Sequence, residues 1–152
     1  MKWTVVLAAT VIIGVCGGSR ADAAPTCTIS ATSVNFGSYN VFALSATDST
    51  GTVTITCNGA AHNVVVSLST GASGAFNPRT MVSGGERLSY NLYRDAACTS
   101  IWGDGTGGTA TYTNANPANN TAINITVYGQ VPAGQDVSAG VYSDTVSAVI
   151  NF

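Results

Sequence analysis

The chain has 152 residues, of which 45% are apolar, 8% aromatic and 8% charged, with 17 glycines, a single histidine and a sequence pI near 4.9. This much apolar content excludes a disordered tail, and five basic residues leave no positive stripe to neutralise phosphates, so nucleic acid is not an expected partner. The length suits one principal domain.

Residues 1–23 read as a secretory signal, with Lys2 as the charged start, residues 5–15 as an apolar run and Ala21-Asp22-Ala23 as a small-x-small cleavage site. The run falls short of the about 20 apolar residues that span a bilayer, and every later apolar run is interrupted by Thr, Ser, Asn or Gly. No membrane insertion is expected, and cleavage after Ala23 leaves an exported, soluble domain over residues 24–152. Cys16 raises a lipid-anchor alternative, but Val15 stands where such signals want Gly, Ala or Ser. In the expected domain Arg79, Arg87 and Arg94 face Asp48, Glu86, Asp95, Asp104, Asp136 and Asp144, an excess of three acids with no lysine. Solubility then rests on neutral hydroxyls and amides.

Along the domain, apolar residues alternate with polar ones. Val53, Ile55 and Cys57 form one such set, followed by Val64, Val66 and Leu68, by Leu88, Tyr90 and Leu92, and by Ile123, Ile125 and Val127. Period two assigns each set to one face of a strand, and the Thr, Ser and Asn between them assign the other face to water, as in antiparallel sheets. Asn58-Gly59, the glycines at 71 and 74, Asn77-Pro78, Ser83-Gly84-Gly85 and Pro132-Ala133-Gly134 punctuate the strands. Residues 103–120 read as a long polar loop or hairpin, in which 109–113 form a short edge strand. The final strand is expected to be the longest, with Tyr142, Val146, Ala148, Ile150 and Phe152 on one face. Its far edge has no later segment to pair with. Almost no helix is expected, and the strand spacing suggests a β-sandwich.

The domain holds three cysteines, Cys27, Cys57 and Cys98, in a compartment that permits disulfides. Cys27 and Cys57 lie in alternating apolar segments and are the favoured pair, with a stabilisation of about 3 kcal/mol. Cys98 remains as an unpaired cysteine, a buried thiol or the partner in an intermolecular or other bridge. No catalytic site is legible: His62 is the only imidazole, and Gly71-Ala72-Ser73-Gly74-Ala75 lacks the last glycine of a nucleophile elbow. The acids are scattered and read as turn residues. Three distant cysteines and His62 show no ligand spacing, so neither a metal nor a cofactor is expected. The aromatics Phe42, Phe76 and Trp102 are candidates for surface contact or for core edges under loops.

Seven separated motifs carry a family resemblance: Cys27-Thr28-Ile29, Asn35-Phe36-Gly37-Ser38-Tyr39, residues 51–57, residues 88–95, Trp102-Gly103-Asp104-Gly105, residues 128–135 and residues 140–146. In this order they resemble the spore coat protein U domain, the module also used by subunits of archaic (Csu-type) chaperone-usher pili. The resemblance implies an all-β, immunoglobulin-like β-sandwich lacking its last strand, which a periplasmic chaperone fills first and a neighbouring subunit's donor strand fills later. It also implies a Cys27–Cys57 bridge, and an acceptor groove along Tyr142, Val146, Ala148, Ile150 and Phe152. The protein is then a non-enzymatic pilus subunit that passes an outer-membrane usher to the cell surface, with adhesion or biofilm formation as its role. Only Ala24, Pro25 and Thr26 separate the expected cleavage site from Cys27, fewer than a donor strand needs. Such a chain accepts a strand without donating one, as a tip or terminal subunit would. The alternative is a self-complete secreted coat protein or binding module, its sandwich closed internally by 109–113 or another segment.

Overall fold

The computed structural model describes residues 24–152, and the expected leader, residues 1–23, lies outside the described residues. Among the described residues, eight strands form two antiparallel sheets, with a single 3-10 turn at Gly71–Ser73. In the larger sheet β1 (Thr26–Ala31), β2 (Thr47–Asn58), β7 (Ala122–Val131), β5 (Glu86–Tyr93) and β4 (Arg79–Ser83) lie side by side in that order. The smaller sheet has β3 (Val64–Leu68) at its centre, flanked by β6 (Tyr112–Asn114) and β8 (Ala148–Asn151).

The alternation read from the sequence sets the inner faces. Val53, Ile55 and Cys57 of β2, Val64, Val66 and Leu68 of β3, and Leu88, Tyr90 and Leu92 of β5 are all buried in one core. Ile125 and Val127 of β7 join them, while Ile123 packs partly buried against that core. The irregular stretch 32–46 adds Val34 and Phe36 to the interior. It can lie this close because β7 has Gly129 beneath it: a Cβ there would come within 2.7 Å of Phe36 and 2.8 Å of Val34.

The expectation about the final strand is corrected. The final strand is not continuous and is not the longest: β2 has 12 residues and β7 has 10, whereas only Ala148–Asn151 forms β8. Upstream, Ser143 bridges to Val82 of β4 in the other sheet, so the segment starts against one sheet and ends in the other. A strand that changes sheets turns a sandwich corner and must break its ladder there. Trp102, read from the sequence as a surface contact or a core edge under a loop, is fully buried. Its indole N–H donates to the Val66 carbonyl at 3.0 Å, and the Arg94 guanidinium lies 4.8 Å from its ring centre. An edge strand does form in the polar loop, but as β6 at Tyr112–Asn114 and not over the expected 109–113, and it pairs with β3.

Candidate functional site: the free edge of β8

Asp144 sets the course of the final segment. Its carboxylate is 4% exposed and accepts hydrogen bonds from the Tyr90 hydroxyl at 2.6 Å and from the backbone N–H groups of Ala72 and Thr145 at 2.8 Å each. A Cβ at Gly71 would collide with this carboxylate, and Gly71 has φ +67°, so glycine is what lets the 3-10 turn close over it. Arg79 is also fully buried. Its guanidinium donates to the carbonyls of Ser69 and Trp102 and, at 2.7 Å, to Oδ1 of Asn91. Burial pulls the Arg79 pKa down to about 10, against the opposing electrostatic pull of Tyr90 and Asp144. Burial first, and the hydrogen bond to Asp144 second, push the Tyr90 hydroxyl well above its ordinary value. Both groups therefore keep their protons at neutral pH.

This cluster corrects the reading of Asp144 as a turn acid and of Asn91 as a wet-face residue. A buried charge is tolerated only with its hydrogen bonds satisfied, and here they are satisfied by backbone from 69, 72, 102 and 145. Period-two patterning carries no sign of it, because most of the partners lie far away in sequence and several are main-chain atoms.

Beyond Asp144 the chain is passed to β3. The Ser147 N–H donates to Oγ of Ser69, and the Ser69 N–H donates to the Ser147 carbonyl, both at 2.9 Å. Register then runs Leu68 to Ala148, Ser67 to Val149, Val66 to Ile150 and Val65 to Asn151. In an antiparallel ladder alternate residues turn both main-chain groups to the same side. Since Ser147 turns toward β3, Val149 and Asn151 do too, and Ala148 and Ile150 present their N–H and C=O to the opposite, outer side. Among the described residues no strand pairs with β8 on that side. The side chains of Ala148 and Ile150 are nevertheless buried. β1 lies close beside β8 without pairing with it.

Of the five residues expected to line a groove, Tyr142, Val146, Ala148 and Ile150 are buried in the core and Phe152 is 41% exposed. Tyr142 also walls a cavity of about 580 Å³ that lies between residues 37–42 and 137–140, with Leu88 at its base. Phe42, Leu44 and Val141 are the other exposed large apolar side chains. Phe76 is half-buried beneath the guanidinium of Arg79.

Cys27 and Cys57 form a disulfide and stand directly opposite each other in the β1–β2 register. Cys98 is a free, half-buried thiol at φ 54°, and burial, then the nearby Asp48 and Asp95, raise its pKa. His62 is exposed, with its Nδ1 2.9 Å from Oδ1 of Asn116. Among the described residues no three His, Cys, Asp or Glu side chains are grouped to hold a metal, and no helix is long and apolar enough to cross a membrane.

Comparison with known proteins fits this geometry. Protein U of Myxococcus xanthus is 38% identical over 65 residues, covering 43% of this chain and 34% of the relative. Among solved structures, the chain resembles one from a CsuC–CsuE chaperone–tip adhesion subunit pre-assembly complex of the archaic chaperone-usher Csu pili of Acinetobacter baumannii. The TM-score is 0.60 at 28% identity, over 84% of this chain and 40% of that one. The chain thus spans well under half the length of either relative. The family model for the Spore Coat Protein U domain matches residues 16–149, the greater part of the sequence, and the chain belongs to that family.

Proposed function

We propose that this chain is a structural subunit of a chaperone-usher pilus and that the outer edge of β8 accepts a donor strand. The observation that carries the reading is the disposition of Ala148 and Ile150, whose side chains complete the core while their main-chain groups face outward unpaired. Strand addition needs this arrangement: main-chain hydrogen bonds hold the incoming strand, and apolar pockets beneath select its alternate side chains. A periplasmic chaperone would occupy the edge first, an outer-membrane usher would receive the complex, and a neighbouring subunit's strand would replace the chaperone. The groove would run along Tyr142, Val146, Ala148, Ile150 and Phe152, and the protein would leave the cell as a surface fibre component without enzymatic activity. The resemblance to a chain from a tip adhesion subunit complex supports a tip or terminal position with a role in adhesion or biofilm formation.

Amide hydrogen exchange on the exported protein, with and without a peptide of alternating apolar residues, tests this. In the free protein the amides of Ala148 and Ile150 exchange fast while those of Val149 and Asn151 are protected, and bound peptide slows the first pair by about 100-fold or more. If Ala148 and Ile150 are already as protected as the core strands and no peptide binds, the sandwich is closed, and a self-complete coat or binding module replaces the pilus reading.

A further inference from the structure

Asn58-Gly59, which ends β2, is a sequence pair with known chemical lability. The backbone nitrogen of a residue after asparagine attacks the side-chain carboxamide, and glycine, having no side chain, hinders this least. In this fold that nitrogen is engaged, since the Gly59 N–H donates to Oδ1 of Asn119 at 2.9 Å. The next residue fastens the same corner, with the Asn120 N–H donating to the Cys57 carbonyl at 2.8 Å. Asn58 itself is exposed, and its carboxamide makes no hydrogen bond among the described residues. Attack therefore requires the end of β2 to fray and the Gly59 N–H to leave Asn119.

The second labile pair, Asp104-Gly105, is held in a similar way. The Gly105 N–H donates to Oγ1 of Thr109 at 3.1 Å. The Thr106 hydroxyl and then its N–H hold the Asp104 carboxyl below the usual carboxylate range, in the ionised form that resists attack. Two unrelated corners thus use one device, a side-chain oxygen on the nucleophilic glycine nitrogen.

We propose that Asn58 is a latent deamidation site and that the Asn119 side chain is the guard that keeps it closed. On release, the Gly59 nitrogen loses its proton and bonds to Cγ of Asn58. The carboxamide C–N bond breaks and ammonia leaves. Water then opens the resulting ring at either carbonyl, giving aspartate or isoaspartate. The net change is water consumed and ammonia released. The product carboxylate stands opposite Thr26 and beside the Cys57 disulfide, and isoaspartate lengthens the main chain there by one methylene. Modification would therefore loosen the point where β1 begins, whether or not the chain is assembled into a pilus.

The test incubates the purified protein at mildly alkaline pH and follows conversion at Asn58 and Asp104 by peptide mapping, beside a free peptide spanning residues 55–61. Wild-type Asn58 is expected to convert at least about tenfold more slowly than the peptide. Asn119→Ala should speed conversion at Asn58 about five- to tenfold, the worth of one hydrogen bond, with Asp104 unchanged. Asn119→Asp, which keeps the acceptor oxygen, should stay slow, and exchange of the Gly59 amide should follow the same order. Equal rates in protein and peptide would overturn the proposal, as would an Asn119→Ala variant no faster than wild type. A rise at Asn58 and Asp104 together would overturn it too, because it would report general loss of stability. If Asn119→Ala does not fold, Asn119→Leu, of similar size but without an acceptor oxygen for the Gly59 N–H, takes its place with the same expected and overturning rates.

Discussion

Replacing Asp144 tests whether the polar cluster or apolar burial sends the last segment across the sandwich. Asp144→Ala removes three hydrogen bonds to a carboxylate that is 4% exposed, each worth about 1.5 to 3 kcal/mol when the acceptor is charged. It also takes away one of the charges that support protonated Arg79. An open pocket of about 400 Å³ beside Asp144, walled by Gly71, Ala72, Val82, Ser143 and Thr145, lets water reach part of the gap, so the sum falls to about 3 to 5 kcal/mol. That is a large share of the about 5 to 15 kcal/mol that holds an ordinary domain together. Asp144→Asn keeps Oδ1 for Ala72 and Thr145 but alters the Tyr90 contact and removes the negative charge that supports Arg79, so its cost is about 1 to 2 kcal/mol. Combined with Tyr90→Phe it should be less than additive, because both changes break one bond. Equilibrium unfolding in urea measures the four variants beside the wild type. An Asp144→Ala variant within 1 kcal/mol of wild type would refute the reasoning, and burial of Tyr142, Val146, Ala148 and Ile150 would then suffice to place β8.

Reducing the Cys27–Cys57 bond should lower the unfolding free energy by about 3 kcal/mol, through the chain entropy released in the unfolded state; urea melts with and without a thiol reductant measure it. Gly129→Ala should cost about 1 to 3 kcal/mol, since the added Cβ would stand 2.7 Å from Phe36, and a lowered thermal midpoint is its readout. Trp102→Phe should cost about 2 kcal/mol or more, because it leaves the Val66 carbonyl without its indole donor. An unchanged thermal midpoint would contradict that placement.

The sequence patterns that predicted correctly were those that depend on local periodicity. The alternating sets in β2, β3, β5 and β7 reach the core because a strand turns successive side chains to opposite faces. Cys27 and Cys57 meet because each ends up opposite the other across a β1–β2 ladder with ordinary register. Tertiary hydrogen bonding was not legible. Asp144 looks like any turn acid until Tyr90, 54 positions earlier, is folded against it, and Arg79 looks like a surface cation until the carbonyls of Ser69 and Trp102 surround it. The last strand was misread for the same reason: alternation from Tyr142 to Phe152 identifies the buried side but not the sheet to which each residue pairs. The open edge of β8 was only half legible, since pattern alone identifies a strand without a successor but not which amides it leaves outward.

The edges of the two sheets differ in how they discourage pairing, and the difference bears on what β8 is for. Natural edge strands avoid adding further strands by being short, charged, interrupted by proline or covered. β6 has three residues. β4 begins with a buried arginine and has Ser143 hydrogen-bonded to Val82 in both directions. β8 is also short, at four residues, but it lacks the other protections: residues 145–152, Thr-Val-Ser-Ala-Val-Ile-Asn-Phe, contain no charge and no proline. β1, Thr-Cys-Thr-Ile-Ser-Ala, is likewise uncharged, and it is the strand that lies close beside β8. The two uncharged edges therefore face one unpaired gap, whereas a monomeric sandwich with nothing to receive would gain by blocking at least one of them. A strand entering that gap would find the unpaired groups of Ala148 and Ile150 on one side and the uncharged margin of β1 on the other. The same absence of protection would make the unfilled domain prone to pair with its own copies, which is the physical reason a subunit of this design would need a chaperone on its edge until a donor strand arrives.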